Sequence, residues 1–461
     1  MFKTQTYTTR RERLAKEVQS GLILILGNEE SSINFKDNVY PFRQDSNFLY
    51  FFGIDRPDLA AIIDIDEQKT TIFGDDLSVE HIVWMGAHPA LADQAAAVGV
   101  SHTAAYSALK PYLAEASKKE RKVHYLPPYR PENIIKLHQW LNIDLNQVTD
   151  KASVVLIKAV VAQASIKNEE EIHELEKAVN VTGAMHVAAI KAARPGIKEA
   201  RLAGIVEGIA SAFEMRTAYP VILSVNGQIL HNHYHGNTLQ PGQLVLGDFG
   251  AESKMHYAGD LTRTFPVDKK FTALQKEVYN IVLEAEVNSI ASLKPGVKYM
   301  DTHLSAAKII ADGLKNMGIM KGDMDEAVAA GAHALFFPHG LGHMLGLDVH
   351  DMEDLGENYV GYAEGQKRSE QFGLRSLRLA KALEPGYVLT VEPGIYFIPE
   401  LIDMWESDKK HAAFINYDKL KALRSFGGIR VEDNVLITHD GHRVLGDPVP
   451  KTVEEIEALR G

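Results

Sequence analysis

Leu244-Val-Leu-Gly-Asp248-Phe-Gly250, continued by Ala251 to Gly259 and Asp260-Leu-Thr-Arg-Thr-Phe265, is a pair of apolar runs around a polar centre. The alternation predicts a β-hairpin with Ser253-Lys254-Met255 as its turn. A turn centred on Lys254 sets Asp248 opposite Asp260, with Cβ atoms roughly 5 Å apart on one face. Carboxylates that close repel, and one is driven toward its protonated form unless a cation neutralises the pair. Two divalent metals about 3.5–4 Å apart are a natural occupant. A solvated hairpin with incidental aspartates is the alternative, and ligands from elsewhere decide between them.

Three further segments supply such ligands. Phe337-Pro-His339-Gly-Leu-Gly-His343 leads into Leu345-Gly-Leu-Asp-Val-His350-Asp351, with glycines that let the backbone approach closely. A zincin helix needs Glu directly after its first His, and Gly340 stands there instead. Val388-Leu-Thr-Val-Glu392 and Gly428-Ile-Arg430-Val-Glu432-Asp433 are apolar strands carrying acids, which are costly to bury unless paired or metal-bound. A salt bridge from Arg430 to Glu432 or Asp433 is the competing account of the second strand. Jointly, Asp248, Asp260, His343, Glu392 and Glu432 form a hard, oxygen-rich donor set. It suits Mn²⁺ best, with Co²⁺, Zn²⁺ and Fe²⁺ as alternatives. Five such ligands can hold two ions with a shared water, which makes the reaction class metal-assisted hydrolysis.

The chain around this set has 461 residues, 45% of them hydrophobic and 24% charged, as expected of a globular protein of two or three domains. A net charge of −12 and the absence of basic runs argue against nucleic acid. Met1–Arg13 has no apolar core for a signal peptide, and Gly21–Leu26 is too short to span a bilayer, so no membrane association and a cytoplasmic location are expected. Cysteine is absent, so any metal is held by His, Asp and Glu.

Up to residue 165, strands at Leu22–Leu26, Leu59–Asp64, Thr70–Phe73 and Lys122–Leu126 alternate with helices at Leu91–Val98 and Ala104–Ala116, the second interrupted or restarted at Pro111, an α/β or α+β domain. A long helix then opens on the capping box Asn168/Glu171, and a second box stands at Thr272/Gln275. Arg194-Pro-Gly-Ile-Lys198 and Lys294-Pro-Gly-Val-Lys298 each follow one long helix and open another. They suggest a pseudo-twofold α+β domain over 166–461, although Pro-Gly is also a common helix stop.

The order Asp248, Asp260, His343, Glu392, Glu432, with its motifs, resembles the metallopeptidase family that includes methionine aminopeptidase, aminopeptidase P and prolidase. The resemblance covers 166–461 and implies the pita-bread fold. Pro41-Phe-Arg-Gln-Asp-Ser-Asn-Phe-Leu-Tyr50 looks like the N-terminal domain of the aminopeptidase P and prolidase branch, over 1–165. Gly373-Leu-Arg-Ser-Leu-Arg378 and Val449-Pro-Lys-Thr-Val-Glu-Glu-Ile456 look most like prolidase. The resemblance implies hydrolysis of the Xaa-Pro bond of small proline-containing peptides, and a homodimer supported by the N-terminal domain. Glu392 would double as proton shuttle; His231 and His350 would act on the scissile carbonyl. His339, Arg430 and above all Arg378, gripping the proline carboxylate, would bind substrate.

A Xaa-Pro aminopeptidase acting on longer peptides, a non-catalytic peptide-binding module and a creatinase-like hydrolase are the competing readings. Asp248 and Asp260 stand one residue further apart than the family pattern, which implies a longer turn or a bulge. His231-Asn-His233-Tyr-His235 sets three imidazoles on one predicted strand face, either a separate metal clamp or supporting histidines.

Overall fold

The computed structural model describes residues 1–461 and divides into two units. One is Met1–Ala164 with Glu353–Tyr359; the other is Ser165–Met352 with Val360–Gly461. Glu353–Tyr359, grouped with the first unit, departs from a single cut near residue 165. No helix is long and apolar enough to cross a membrane.

The first unit is built on a five-stranded mixed sheet. Its strands are β1 (Leu22–Leu26), β2 (Ala60–Asp64), β3 (Lys69–Phe73), β4 (His102–Ala104) and β5 (Val123–Tyr125), in the order β4-β3-β2-β1-β5. β1 is antiparallel to β2 and parallel to β5. Leu22, Leu24, Ala60, Ile62 and Phe73 bury one face against Leu109, Leu113 and Leu137, which explains why the strands read as apolar runs. The helix expected over Ala104–Ala116 is corrected. Ala104 closes β4, Tyr106–Ala108 is a 3₁₀ turn, and the helix runs from Leu109 to Lys118. Pro111 falls in its first turn, where backbone N–H groups have no intrahelical partner to lose.

The second unit repeats one arrangement twice. Helices α1 (Glu169–Ala192) and α2 (Glu199–Ala212) match α3 (Ala273–Ser292) and α4 (Tyr299–Asn316). Both capping boxes form, Asn168 with Glu171 and Thr272 with Gln275. The two Pro-Gly turns are superposable in their bonding. Gly196 and Gly296 have φ of 87° and 84°, which glycine adopts without penalty. Gly196 N–H donates to Leu239 O at 2.9 Å and Gly296 N–H to Leu383 O at 2.8 Å. Leu239 N–H returns to Ile197 O, and Leu383 N–H to Val297 O. A common helix stop does not require matching partners on both sides, so the repeat is architectural.

Each half also carries a three-stranded sheet. β6 (Ile222–Ser224), β7 (Leu244–Phe249) and β8 (Leu261–Pro266) order as β8-β7-β6. β9 (Val388–Val391), β12 (Asp433–Ile437) and β13 (His442–Val444) order as β9-β12-β13, with β10 (Gly394–Tyr396) and β11 (Gly428–Arg430) paired beside them. Glu432 N–H to Thr262 O at 3.1 Å stitches one half to the other. That stitch is where the acidic side chains gather.

Candidate metal centre

β7 and β8 form the expected hairpin, but not in the expected register. Asp248 pairs with Thr262 and Phe249 with Leu261, so Asp260 lies two residues from the position opposite Asp248. An offset of two preserves side-chain parity, so both carboxylates still point to one face. The extra residue resides in the turn and makes no bulge. Glu252 bridges Ala258 in the same register, Ser253 N–H bonds Tyr257 O at 2.9 Å, and His256 takes a φ of 68°.

Tyr219 joins the pair: its hydroxyl lies 2.6 Å from Asp248 Oδ1 and also contacts Asp260 Oδ1. A phenol carries one proton, so the second contact requires a proton or a cation on the carboxylate. Asn434 brackets the Asp260 backbone, accepting from its N–H at 3.0 Å and donating to its carbonyl.

His343 reaches the site because its segment runs along the edge of β9. Leu345 N–H bonds Val388 O, Thr390 N–H bonds His343 O, and Glu392 N–H bonds Leu341 O at 2.8 Å. Gly342 permits this approach, since a Cβ there would fall 2.1 Å from Thr390 O. The His343 Nδ1–H donates to Met344 O at 3.0 Å. Nε2 therefore faces the carboxylates, 3.4 Å from Asp260 Oδ2 and 3.5 Å from Glu392 Oε1, which raise the imidazole pKa against its burial; a bound cation would take the Nε2 lone pair in place of that proton. A ring held this way is the arrangement metal-ligating histidines use. Ligand atoms of Asp260, His343 and Glu432 lie within 4.8 Å of one another, and all three side chains are buried.

The electrostatics call for protons or a cation to offset the clustered charge. Burial, then the charges of Asp260, Glu392 and Asp248, push the Glu432 carboxyl well above the usual range. Burial also raises Glu392, to about 7, although His343 and Arg430 pull the other way. Asp248 is raised by burial against the pull of Arg430. Asp260 alone falls, because bonds from His343 and Tyr219 outweigh its burial. Glu432 Oε2 accepts from the Thr262 hydroxyl at 2.6 Å, whereas Oε1 is buried with no hydrogen-bond partner. Four converging carboxylates, an imidazole nitrogen aimed at them and an orphaned carboxylate oxygen fit divalent metal.

The cavity over this cluster has a volume of about 410 Å³, in the range of small-molecule sites. Asp248, Asp260, His343, Glu392 and Glu432 line it together with His231, His339, His350, Arg378 and Arg430. Several details correct the sequence reading. Arg430 pairs with Asp248, and its guanidinium also meets the Thr262 hydroxyl at 3.1 Å and the Tyr396 hydroxyl at 2.6 Å. It bridges neither Glu432 nor Asp433; Asp433 pairs with Arg263 at 2.7 Å. Those partners hold Arg430 in the cavity wall beside Asp248. The His231–His235 segment is a loop, not a strand, and forms no clamp: His231 and His233 face the cavity while His235 Nε2 bonds Val221 O at 3.0 Å.

His339 is held neutral. Burial and the nearby Arg430 push it down to about 3, its Nδ1–H donates to Gly340 O, and its Nε2 accepts from the Tyr396 hydroxyl. Tyr396 was readable in the sequence, because it keeps the period-2 parity of Glu392. Tyr219 had no such signal.

The model of metallopeptidase family M24 matches residues 173–439, and that of the aminopeptidase P N-terminal domain matches 7–125. The Xaa-Pro dipeptidase of Homo sapiens is 36% identical, covering 97% of this chain and 90% of the relative. The Xaa-Pro aminopeptidase of Escherichia coli K12 is 33% identical, covering 99% and 97%. A solved structure of a variant of Escherichia coli aminopeptidase P in complex with substrate superposes with a TM-score of 0.81 at 31% identity, covering 100% of this chain and 98% of that one. The pita-bread architecture, the paired domains and the acid-lined cavity therefore have one explanation: the chain belongs to metallopeptidase family M24.

Proposed function

We propose that this metallopeptidase hydrolyses the bond before proline in Xaa-Pro peptides, with free dipeptides as preferred substrates. The observation that carries the reading is the position of Arg378, lining the same cavity as the acidic cluster. A guanidinium there can grip a carboxylate in a bidentate manner and so requires a free C-terminus directly after proline. The names of the relatives support the substrate class.

Asp248, Asp260, His343, Glu392 and Glu432 would hold two divalent ions, with Mn²⁺ the best match to the donors. When bound, such ions polarise a carbonyl and lower the pKa of water. His231 and His350 are assigned hydrogen bonds to the scissile carbonyl oxygen as charge develops on it, each worth about 2.7–4 kcal/mol if it acts as an oxyanion donor. The His350 ring packs edge-on against His343 with centroids 4.3 Å apart. Glu392 is assigned the proton shuttle to the departing proline nitrogen. His339, fixed in one tautomer, shapes the wall beside it. The Xaa-Pro bond is a tertiary amide with no N–H to recognise, so recognition falls to ring shape and carboxylate. A homodimer supported by the N-terminal domain and a cytoplasmic location go with this reading.

The test compares Mn²⁺-loaded protein on an Xaa-Pro dipeptide and an Xaa-Pro-Yaa tripeptide. At least about tenfold higher kcat/KM on the dipeptide is expected, the effect of one well-made charged contact. Equal or better cleavage of the tripeptide contradicts the carboxylate grip and leaves a Xaa-Pro aminopeptidase.

A further inference from the structure

Arg378 projects from a backbone held by two residues that do not line the cavity. Gly361 packs against it so closely that a Cβ would fall 1.7 Å from Arg378 O and 3.1 Å from Leu379 Cα. No flexible side chain stands there to yield; the obstruction is main chain. The Gly361 carbonyl accepts from both Ala380 N–H at 2.8 Å and Lys381 N–H at 2.9 Å. Next to it, the Tyr362 hydroxyl donates to Leu377 O at 2.7 Å. Tyr362, Leu377 and Ala380 form one buried cluster, with Met300 of α4 packed on it.

Both flanks of Arg378 are thus tied to a single dipeptide. Leu377 before it is bonded by Tyr362; Ala380 and Lys381 after it are bonded by Gly361. The glycine brings the two stretches together at van der Waals distance. A Cβ on Gly340 would meet Leu377 Cα at 2.9 Å, so the segment is also confined by the chain next to His339. A bidentate contact depends on orientation, and a displacement near 1 Å can cost about 10²-fold in rate.

We propose that Gly361 and Tyr362 are positioning residues that set substrate-length specificity by fixing the backbone from which Arg378 reaches the substrate carboxylate. The inference rests on the carboxylate-gripping role of Arg378. It makes the Gly361–Tyr362 segment, which does not line the cavity, a determinant of dipeptide preference.

The experiment uses full-length, Mn²⁺-loaded protein and three substrates: an Xaa-Pro dipeptide, its C-terminal amide and an Xaa-Pro-Yaa tripeptide. Tyr362→Phe keeps the ring and removes one hydrogen bond. It is expected to raise KM for the free dipeptide about 2- to 10-fold, with kcat and the amide kinetics within about twofold of wild type. Gly361→Ala is expected to exceed that loss on the dipeptide, again sparing the amide. Arg378→Lys is the reference, since an ammonium cannot reproduce the fork. Uniform losses on all three substrates in the Gly361 and Tyr362 variants would mean general damage and overturn the proposal. If Arg378→Lys is selective for the free carboxylate and Tyr362→Phe is not, the positioning role alone falls. If Arg378→Lys shows no selectivity, the reading of Arg378 falls and the inference with it. Should Gly361→Ala fail to fold, Tyr362→Phe decides the matter by itself.

Discussion

Asp260→Asn and His343→Ala are each expected to lower kcat/KM on an Xaa-Pro dipeptide by at least about 10³-fold, the scale of several kcal/mol of lost charge stabilisation. Both residues belong to the group whose ligand atoms lie within 4.8 Å of one another. The stability of the same variants separates metal loss from misfolding. In the metal-free protein the cluster is self-repelling, with Glu432 raised well above the carboxylate range and Glu392 raised to about 7. Asp260 is the one carboxylate of the cluster held below its usual range, so its charge stabilises the fold and metal-free Asp260→Asn is expected to melt lower than metal-free wild type. Adding Mn²⁺ raises the melting temperature of wild type through binding to the folded state only; in the variant that rise is expected to disappear. A variant that binds Mn²⁺ as wild type does and retains activity contradicts the assignment.

Arg263→Met is expected to have the largest effect on stability. Arg263 is fully buried and donates to Asp433 Oδ1 at 2.7 Å, Thr262 O at 3.0 Å, Glu432 O at 2.6 Å, Pro450 O at 2.9 Å and Val449 O at 3.1 Å. Burial disfavours the Asp433 charge, yet Arg263 and then Lys451 hold its carboxyl down at about 2. Lys451 is shared with Glu286, both of whose oxygens it contacts, at 2.8 and 3.0 Å. Methionine matches the volume but leaves Asp433 with half its compensation and several carbonyls unpaired. Breaking a buried pair from one side costs about 3–5 kcal/mol. Urea denaturation of the metal-free protein measures it as a lowered midpoint at unchanged slope. A loss below about 1 kcal/mol would show that Lys451 alone suffices. Because Arg263 also grips the Glu432 carbonyl, weaker Mn²⁺ binding is expected alongside.

The parts of this site that the sequence disclosed share a physical cause. Glu392 and Glu432 stand out because an acid in an apolar run is costly wherever the run is buried, although each expected strand is in fact broken at its acid, between Val391 and Gly394 and between Arg430 and Asp433. The Pro-Gly turns and capping boxes are local signals and were read at the right residues. Contacts that depend on three-dimensional closure were not readable. Tyr219 meets Asp248 and Asp260 across 29 and 41 residues, with no local pattern to mark it. The hairpin register slipped by two because the turn chemistry of Ser253–Tyr257, with His256 in the left-handed region, is not encoded by a recognisable dipeptide. Of the two bridges weighed for Arg430, strand parity excludes the one to Asp433, and Asp248 takes the guanidinium in place of Glu432. Arg430 and Glu432 share the face toward the cavity, whereas Asp433 points away from it, toward Arg263.

The central claim is that the five converging ligands hold two divalent ions that drive Xaa-Pro hydrolysis. It is tested most directly by titrating chelator-stripped protein with Mn²⁺ while counting bound ions and following hydrolysis of an Xaa-Pro dipeptide. Two ions bound per chain, with activity rising from none as they bind, is the result expected. Protein that binds no Mn²⁺, or hydrolyses the dipeptide equally well without it, would contradict the account.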